Sequence, residues 1–349
     1  MTGLLIGLLT ALAAADHTPV EKAQSLNTQG NETAEKGNER EAQRLYQESI
    51  AILRPLGTAY DAHTAGVLMN LGVSFSSDGQ RPAATKIFEE ALALHRRSLG
   101  ATHRRTVTNI NLLAINYLML GDPARAEVLL KEALATERQF YPDDVQTAHT
   151  LDGMAYILMH GKDGRGALPL TEEALRISIR STGENSLDTA LAYATVAEAH
   201  RMCGSRERAL PLYRQARWLY EKALGAESPR VASLLSQEGL ILMMDGNLAL
   251  AEQSMMQAVN MLRKACPDCA VELSVTQNNL GLLRLKQKRY READEVLTSS
   301  AELREKFAVQ PGPELADTLQ LLALARQKLH RPDDAARLND RAQSILGYR

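Results

Sequence analysis

At 349 residues, with 45 % hydrophobic but only 4 % aromatic side chains, the chain must build its interior from Leu, Ala, Val, Ile and Met, the residues of closely packed helices. That length calls for two or three globular domains or for an array that grows in one dimension. A formal net charge of −2 supplies none of the long-range attraction to phosphate that nucleic-acid or anionic-membrane binding needs, so no nucleic-acid partner is expected.

The chain opens "MTGLLIGLLTALAAADHTPVEK", an apolar run from Leu4 to Ala15 that then turns polar. The run is too short to span a bilayer, and Ala13-Ala14-Ala15 offers the small residues that a signal peptidase cleaves. Residues 1–15 are therefore expected to be a signal peptide and the mature chain an exported one, periplasmic or extracellular. Neither Lys nor Arg precedes the run, which keeps the alternative of a short apolar cap on a cytoplasmic chain. Since no other segment approaches membrane length, no membrane span is expected.

From residue 30 onward, small residues recur in register. Gly30, Gly72, Ala114, Ala155, Ala197, Gly239, Gly281 and Ala323 are each followed seven places later by a marker: Gly37, Gly79, Gly121, Lys162, Gly204, Gly246, Lys288 and His330. The markers stand 42 residues apart, except for one interval of 41. Five places beyond each marker lies an alanine, from Ala42 and Ala84 to Ala335, and seven further on stands another small residue, from Ser49 and Ala91 to Ala342. Glycine inside a helix costs about 1 kcal/mol, so these positions must serve close approach between helices. A fixed period of this length, with small residues on helical segments, signals a solenoid of paired helices.

Each unit is expected to run as a first helix, a tight turn such as "DGQR" or "LGDPAR", and a second helix such as Ala84 to Leu99. Pro82, Pro123 and Pro332 fall where second helices begin, the place proline tolerates. Gly57, Gly100, Gly183 and Gly225 follow second helices, where a left-handed residue would stop them. Thr64, Thr106, Thr147 and Thr189 are expected just ahead of the next first helix.

Little here resembles a catalytic or metal site. "HGKDGRGAL", residues 160–168, falls where the spacing drops to 41 and fails as a phosphate loop, because its Lys is followed by Asp and no strand precedes it. Neither a His-Glu-x-x-His nor a Gly-x-Ser-x-Gly motif occurs. Cys266 and Cys269 in "CPDC" read as a plain loop or a local disulfide, since structural zinc needs four ligands and neither Cys203 nor the histidines repeat the spacing. No enzyme, no metal and no cofactor are expected.

The Leu-Gly pairs Leu71-Gly72 and Leu280-Gly281, the aromatics Phe75 and Tyr117 three places after the small residue, and the alanine pairs resemble the tetratricopeptide repeat. The period of 42, with "NLG", "EEALAL" and "LGAESPRVAS", is similar to the longer-helix variety of kinesin light chains. The resemblance covers residues 20–349. It implies an all-α, right-handed superhelical solenoid of eight antiparallel helix hairpins over residues 16–349, with repeats near 20–61, 62–103, 104–145, 146–186, 187–229, 230–271, 272–313 and 314–349. Polar Gln29 and Thr33 in repeat 1 and Asn339 in repeat 8 suit solvent-facing caps at the array ends.

In that family the first helices line a concave groove that binds peptides or protein segments. Carried over position by position, the resemblance implies groove residues Leu118, Met119, Asp152, Tyr156, Met159, Arg201, Met243 and Lys286, with Lys328 on the same face. Methionine suits adaptable apolar surfaces but also fills gaps between repeats, and both readings stand. Asn70, Asn111, Asn278 and Asn279 could hydrogen-bond the backbone of an extended peptide or brace neighbouring helices. The family's carboxylate clamp needs cations that are missing where Asn27, Asn31, Asn70, Thr108 and Leu112 stand, so a C-terminal carboxylate ligand is not expected there. Lys286 and Lys328 point instead to an acidic stretch of ligand toward the C-terminal repeats. The implied function is a scaffold that binds a protein or peptide. Self-assembly into homo-oligomers is the alternative, and an intracellular adaptor of the kinesin-light-chain type ranks below both, for want of a heptad segment ahead of the repeats.

Overall fold

The computed structural model describes residues 18–265, 269–307 and 312–347, and among these residues it is all-α, with sixteen α-helices and no strand. The first helices of the hairpins are α1 (Pro19–Glu35), α3 (Asp61–Ser77), α5 (Arg104–Met119), α7 (Val145–His160), α9 (Leu187–Met202), α11 (Pro229–Met244), α13 (Ala270–Lys286) and α15 (Pro313–Lys328). Their second helices are α2 (Glu39–Leu53), α4 (Arg81–Leu99), α6 (Pro123–Phe140), α8 (Gly164–Thr182), α10 (Arg206–Leu224), α12 (Leu248–Ala265), α14 (Tyr290–Phe307) and α16 (Pro332–Leu346). Two compact units divide the chain, Met1–Ile157 and Leu158–Arg349, with the boundary inside α7. The expected signal segment and Cys266 lie outside the described residues.

The strict period has a local cause. All eight markers have positive φ: the glycines Gly37, Gly79, Gly121, Gly204 and Gly246 at 76–84°, and the non-glycines Lys162, Lys288 and His330 at 65°, 60° and 58°. In each hairpin the residue after the marker donates its amide to the carbonyl four residues before the marker, as in Gln80 to Phe75 (2.8 Å), Asp163 to Leu158 (2.8 Å) and Arg331 to Arg326 (2.9 Å). That is the left-handed helix end whose hydrogen bonds satisfy the last carbonyls of the first helix.

Close approach explains the helix-interior glycines. A Cβ built on Gly30 would lie 2.5 Å from the Tyr46 ring, and one on Gly72 would lie 2.6 Å from Phe88. In unit 2 the same holds for Gly239 against Met255 (2.8 Å) and Gly281 against Leu297 (2.5 Å). Each glycine thus receives a large, buried side chain from the second helix of its own hairpin. The alanines five after each marker, such as Ala42, Ala84, Ala126, Ala209 and Ala251, are fully buried. Gln29 and Asn339 are exposed, as the two ends of the array require.

Two local expectations are corrected. Gly57, Gly100, Gly183 and Gly225 stop their helices at φ 86–90° with extended ψ, a region only glycine reaches, rather than as left-handed helical residues. Thr64, Thr106, Thr147 and Thr189 sit inside the first turns of their helices. Thr106, Thr147 and Thr189 are buried there, and their hydroxyls donate six residues back, to the carbonyls of Gly100 (2.8 Å), Tyr141 (2.7 Å) and Gly183 (2.7 Å). These bonds fix how the chain passes from one hairpin to the next. Cys269 is disulfide-bonded and Cys203 is free.

Candidate functional site

Within each unit, successive first helices touch: α1, α3 and α5 in unit 1, and α11, α13 and α15 in unit 2. Tight packing against the second helix at the small residue turns the next position outward. In unit 1 that position carries Val73, Ile115 and Tyr156, exposed by 42 %, 43 % and 46 %, and Met119 on α5 is half exposed. Together they form an apolar row with one member or more from each of three consecutive first helices. Unit 2 carries half-buried Leu240 and Leu282 and exposed Leu324 in this register, with exposed Met244 beside them. Val73, Ile115 and Leu324 share the register of Tyr156, directly after the small residue, which the resemblance already assigned to the groove.

The asparagines mostly brace. Asn70 donates from Nδ2 to Asn27 Oδ1 (3.0 Å) and Asn31 Oδ1 (3.1 Å), and Asn31 also accepts the Tyr46 hydroxyl (2.8 Å). Asn279 donates to Ser236 Oγ (3.1 Å), and Asn278 accepts from Thr318 Oγ1 (3.0 Å). The Tyr46 bond closes the first hairpin, and the others tie one first helix to the next.

Two predicted contact residues are corrected by burial. Asn111 is 2 % exposed and donates to Glu137 Oε1 (2.9 Å), which also accepts from Thr150 Oγ1 (3.1 Å); a ligand cannot reach it. Met243 is 3 % exposed and packs with Met255, Val259, Leu280 and Leu283, so it is core. In both cases the helix face turns inward at the position three before, or four after, the small residue. Leu118 is half-buried against the core of unit 1, Asp152 and Met159 are half-buried, and Met119, Tyr156 and Lys328 are exposed. Lys286 is exposed, but its Nζ donates to the Met243 carbonyl (2.9 Å), so part of its hydrogen-bonding capacity is spent on the neighbouring helix.

Arg201 is held rather than free. Its guanidinium grips Glu198 through two hydrogen bonds, one of 2.7 Å, and Glu198 also accepts the Tyr213 hydroxyl at 2.5 Å. Burial pushes the Glu198 carboxyl up, but Arg201 and Tyr213 outweigh it and hold the group below the usual carboxylate range. Glu137 is the opposite case: burial raises its pKa, and the bonds from Thr150 and Asn111 offset this only in part.

Two crevices open beside these helices. One, of about 330 Å³ in unit 1, is floored by Ala23, Leu53 and Val67 and rimmed by Gln24, Asn27, His63, Asn70 and Arg105. The other, of about 380 Å³ in unit 2, is formed by Leu191, Tyr220, Leu224 and Leu234 with Arg230, Ser233 and Glu272 at its edge. Among the described residues no group of His, Cys, Asp and Glu could hold a metal ion, and no helix is long and apolar enough to cross a membrane.

Models of the tetratricopeptide repeat match residues 63–139 and 189–230. A comparison with curated proteins gives no match. Among solved structures, the apo form of the quorum sensor NprR from B. thuringiensis is similar with a TM-score of 0.69 at 12 % identity, covering 98 % of this chain and 92 % of that one. The apo form of RapI is similar with a TM-score of 0.67 at 16 % identity, over 81 % of this chain and 98 % of that one. BtubC (BKLC) from P. vanneervenii gives 0.51 at 23 % identity, over 67 % of this chain and 92 % of that one. At these identities the likeness is one of fold. The models identify residues 63–139 and 189–230 as tetratricopeptide repeats, and the helical hairpins with their recurring left-handed turn continue that register through the described residues.

Proposed function

We propose that the chain is a scaffold whose first-helix face binds an extended segment of a protein or peptide. The observation that carries this reading is the row Val73, Ile115, Met119 and Tyr156, apolar side chains left exposed on consecutive helices of one unit. Burying such a row against a partner gains about 25 cal/mol per Å² of apolar surface, part of which goes to ordering the partner. An extended segment laid across α3, α5 and α7 would meet one of these side chains per helix. The disulfide at Cys269 supports the companion reading of an exported chain, because disulfides persist in oxidising compartments; recovery of intact Met1 on mature protein would count against it.

The binding reading is tested with a peptide selected from a displayed library on the full chain. Ile115→Asp should weaken its binding about tenfold or more. Val128→Asp, at an exposed apolar residue of the second helix α6, should leave it unchanged. The reverse pattern would move the partner to the second-helix face.

A further inference from the structure

The two crevices are one feature of the repeat, seen four repeats apart. Leu53 and Tyr220 hold the same register at the floor, Val67 and Leu234 the same place in the wall, and Gly66 and Ser233 the same position six residues before the small residue. Gly66 and Ser233 are the smallest residues at that position in the eight repeats, where others carry side chains such as Thr108 or Leu191. A Cβ added at Gly66 would meet nothing within 4 Å, so this helix-interior glycine, unlike Gly72 on the same helix, has no packing role. What its missing side chain leaves is the crevice.

The rims differ in charge. Arg105 of the first crevice is replaced in register by Glu272 in the second. Arg105 is exposed, and among the described residues its guanidinium has no ion pair or side-chain hydrogen bond, whereas neighbouring Arg104 is paired with Asp144 at 2.6 Å. The amides on the opposite rim are already joined, Asn70 to Asn27. The crevice of unit 1 therefore combines an apolar floor with an unengaged cation at its mouth.

We propose that this crevice is a subsite for an acidic side chain of the bound segment, with the aliphatic stem against Leu53 and Val67 and the carboxylate on Arg105. The inference rests on the peptide-binding reading above and adds the chemistry of one residue of the partner. A charge-assisted hydrogen bond in a partly enclosed site is the stronger kind, and the guanidinium suits it. The crevice of unit 2, with Glu272 in the place of Arg105, does not share this preference.

Two labelled peptides serve as probes, one in which glutamate alternates with leucine and the same peptide with glutamine for glutamate, each titrated against the full chain by fluorescence anisotropy. The acidic peptide should bind about tenfold more tightly. Gly66→Leu, whose Cβ meets nothing within 4 Å and whose side chain extends into the crevice, and Arg105→Gln should each remove that preference, and Ser233→Leu should retain it. Helicity and a melting temperature no lower than the parent's will show that Gly66→Leu folds, and Arg105→Gln gives the same reading without touching the backbone. Equal affinity for the two peptides, or a preference that survives both Gly66→Leu and Arg105→Gln, would overturn the inference. If the two bind equally and Ile115→Asp abolishes both, the peptide-binding reading stands alone; if neither peptide binds, both readings fall.

Discussion

Gly66 and Gly72 lie six residues apart on α3, and replacing each by alanine makes the same chemical change in opposite surroundings. In an open helix interior the change gains up to about 1 kcal/mol through backbone entropy. Gly66→Ala should realise most of that, since the new methyl meets nothing within 4 Å. Gly72→Ala places the methyl 2.6, 2.8 and 3.0 Å from three atoms of the Phe88 ring, which is 1 % exposed and has nowhere to go. Overpacking of this kind costs about 1–3 kcal/mol, so the propensity gain leaves a net loss of up to about 2 kcal/mol and a gap between the two variants of about 1–3 kcal/mol. Urea unfolding followed by far-UV circular dichroism reads the difference, and Trp218 fluorescence separately reports unit 2, where it should not change. Adding Phe88→Leu to Gly72→Ala should recover part of the loss. Were Gly72→Ala as stable as Gly66→Ala, the account of the small-residue register as helix contact would be wrong.

Two further predictions concern pH and have opposite signs. His95 is fully buried, and burial, with Arg105 and His103 nearby, lowers its pKa to about 4. In the folded state it therefore stays neutral while the unfolded chain takes up a proton, so stability is lost as pH falls from about 6.5 to about 4, by about 3 kcal/mol at full extent. His95→Leu should remove that acid sensitivity in urea titrations run across this range, and an unchanged slope would refute the assignment. Glu137 stands in the same register one repeat later, and burial raises its pKa, so its contribution to stability falls as pH rises through the ordinary carboxylate value toward the raised one. Glu137→Gln keeps an acceptor for Asn111 and Thr150 and should flatten that slope while leaving unit 1 at least as stable at neutral pH; destabilisation there would mean that the charged form is the one the fold prefers.

The fold was legible because it is written in backbone constraints. A left-handed turn at each marker and a missing side chain opposite Tyr46, Phe88, Met255 or Leu297 leave a periodic trace that survives even where Lys162, Lys288 and His330 replace glycine. The binding face was legible only in part. Register says which helix a residue occupies, but whether it points to solvent depends on the neighbouring helix: Ile115 and Tyr156 emerge, while Asn111 turns inward to Glu137 and Met243 into a cluster with Met255. Arg105 and Gly66 gave no signal of their own, because the crevice is made by residues from four helices in three repeats and appears only when those are brought together. Nor could spacing tell a helix-stop glycine in the left-handed region from one with extended ψ, since both favour glycine.

The central claim is that the partner lies on the first helices. A library-selected peptide carrying a photoreactive benzoylphenylalanine, crosslinked to the full chain and mapped by mass spectrometry, tests it most directly. Crosslinks should fall on α3, α5 and α7, at or beside Val73, Ile115, Met119 and Tyr156, and should be lost when unlabelled peptide competes. Competable crosslinks confined to the second helices, around Val128 on α6 or Leu250 on α12, would contradict it.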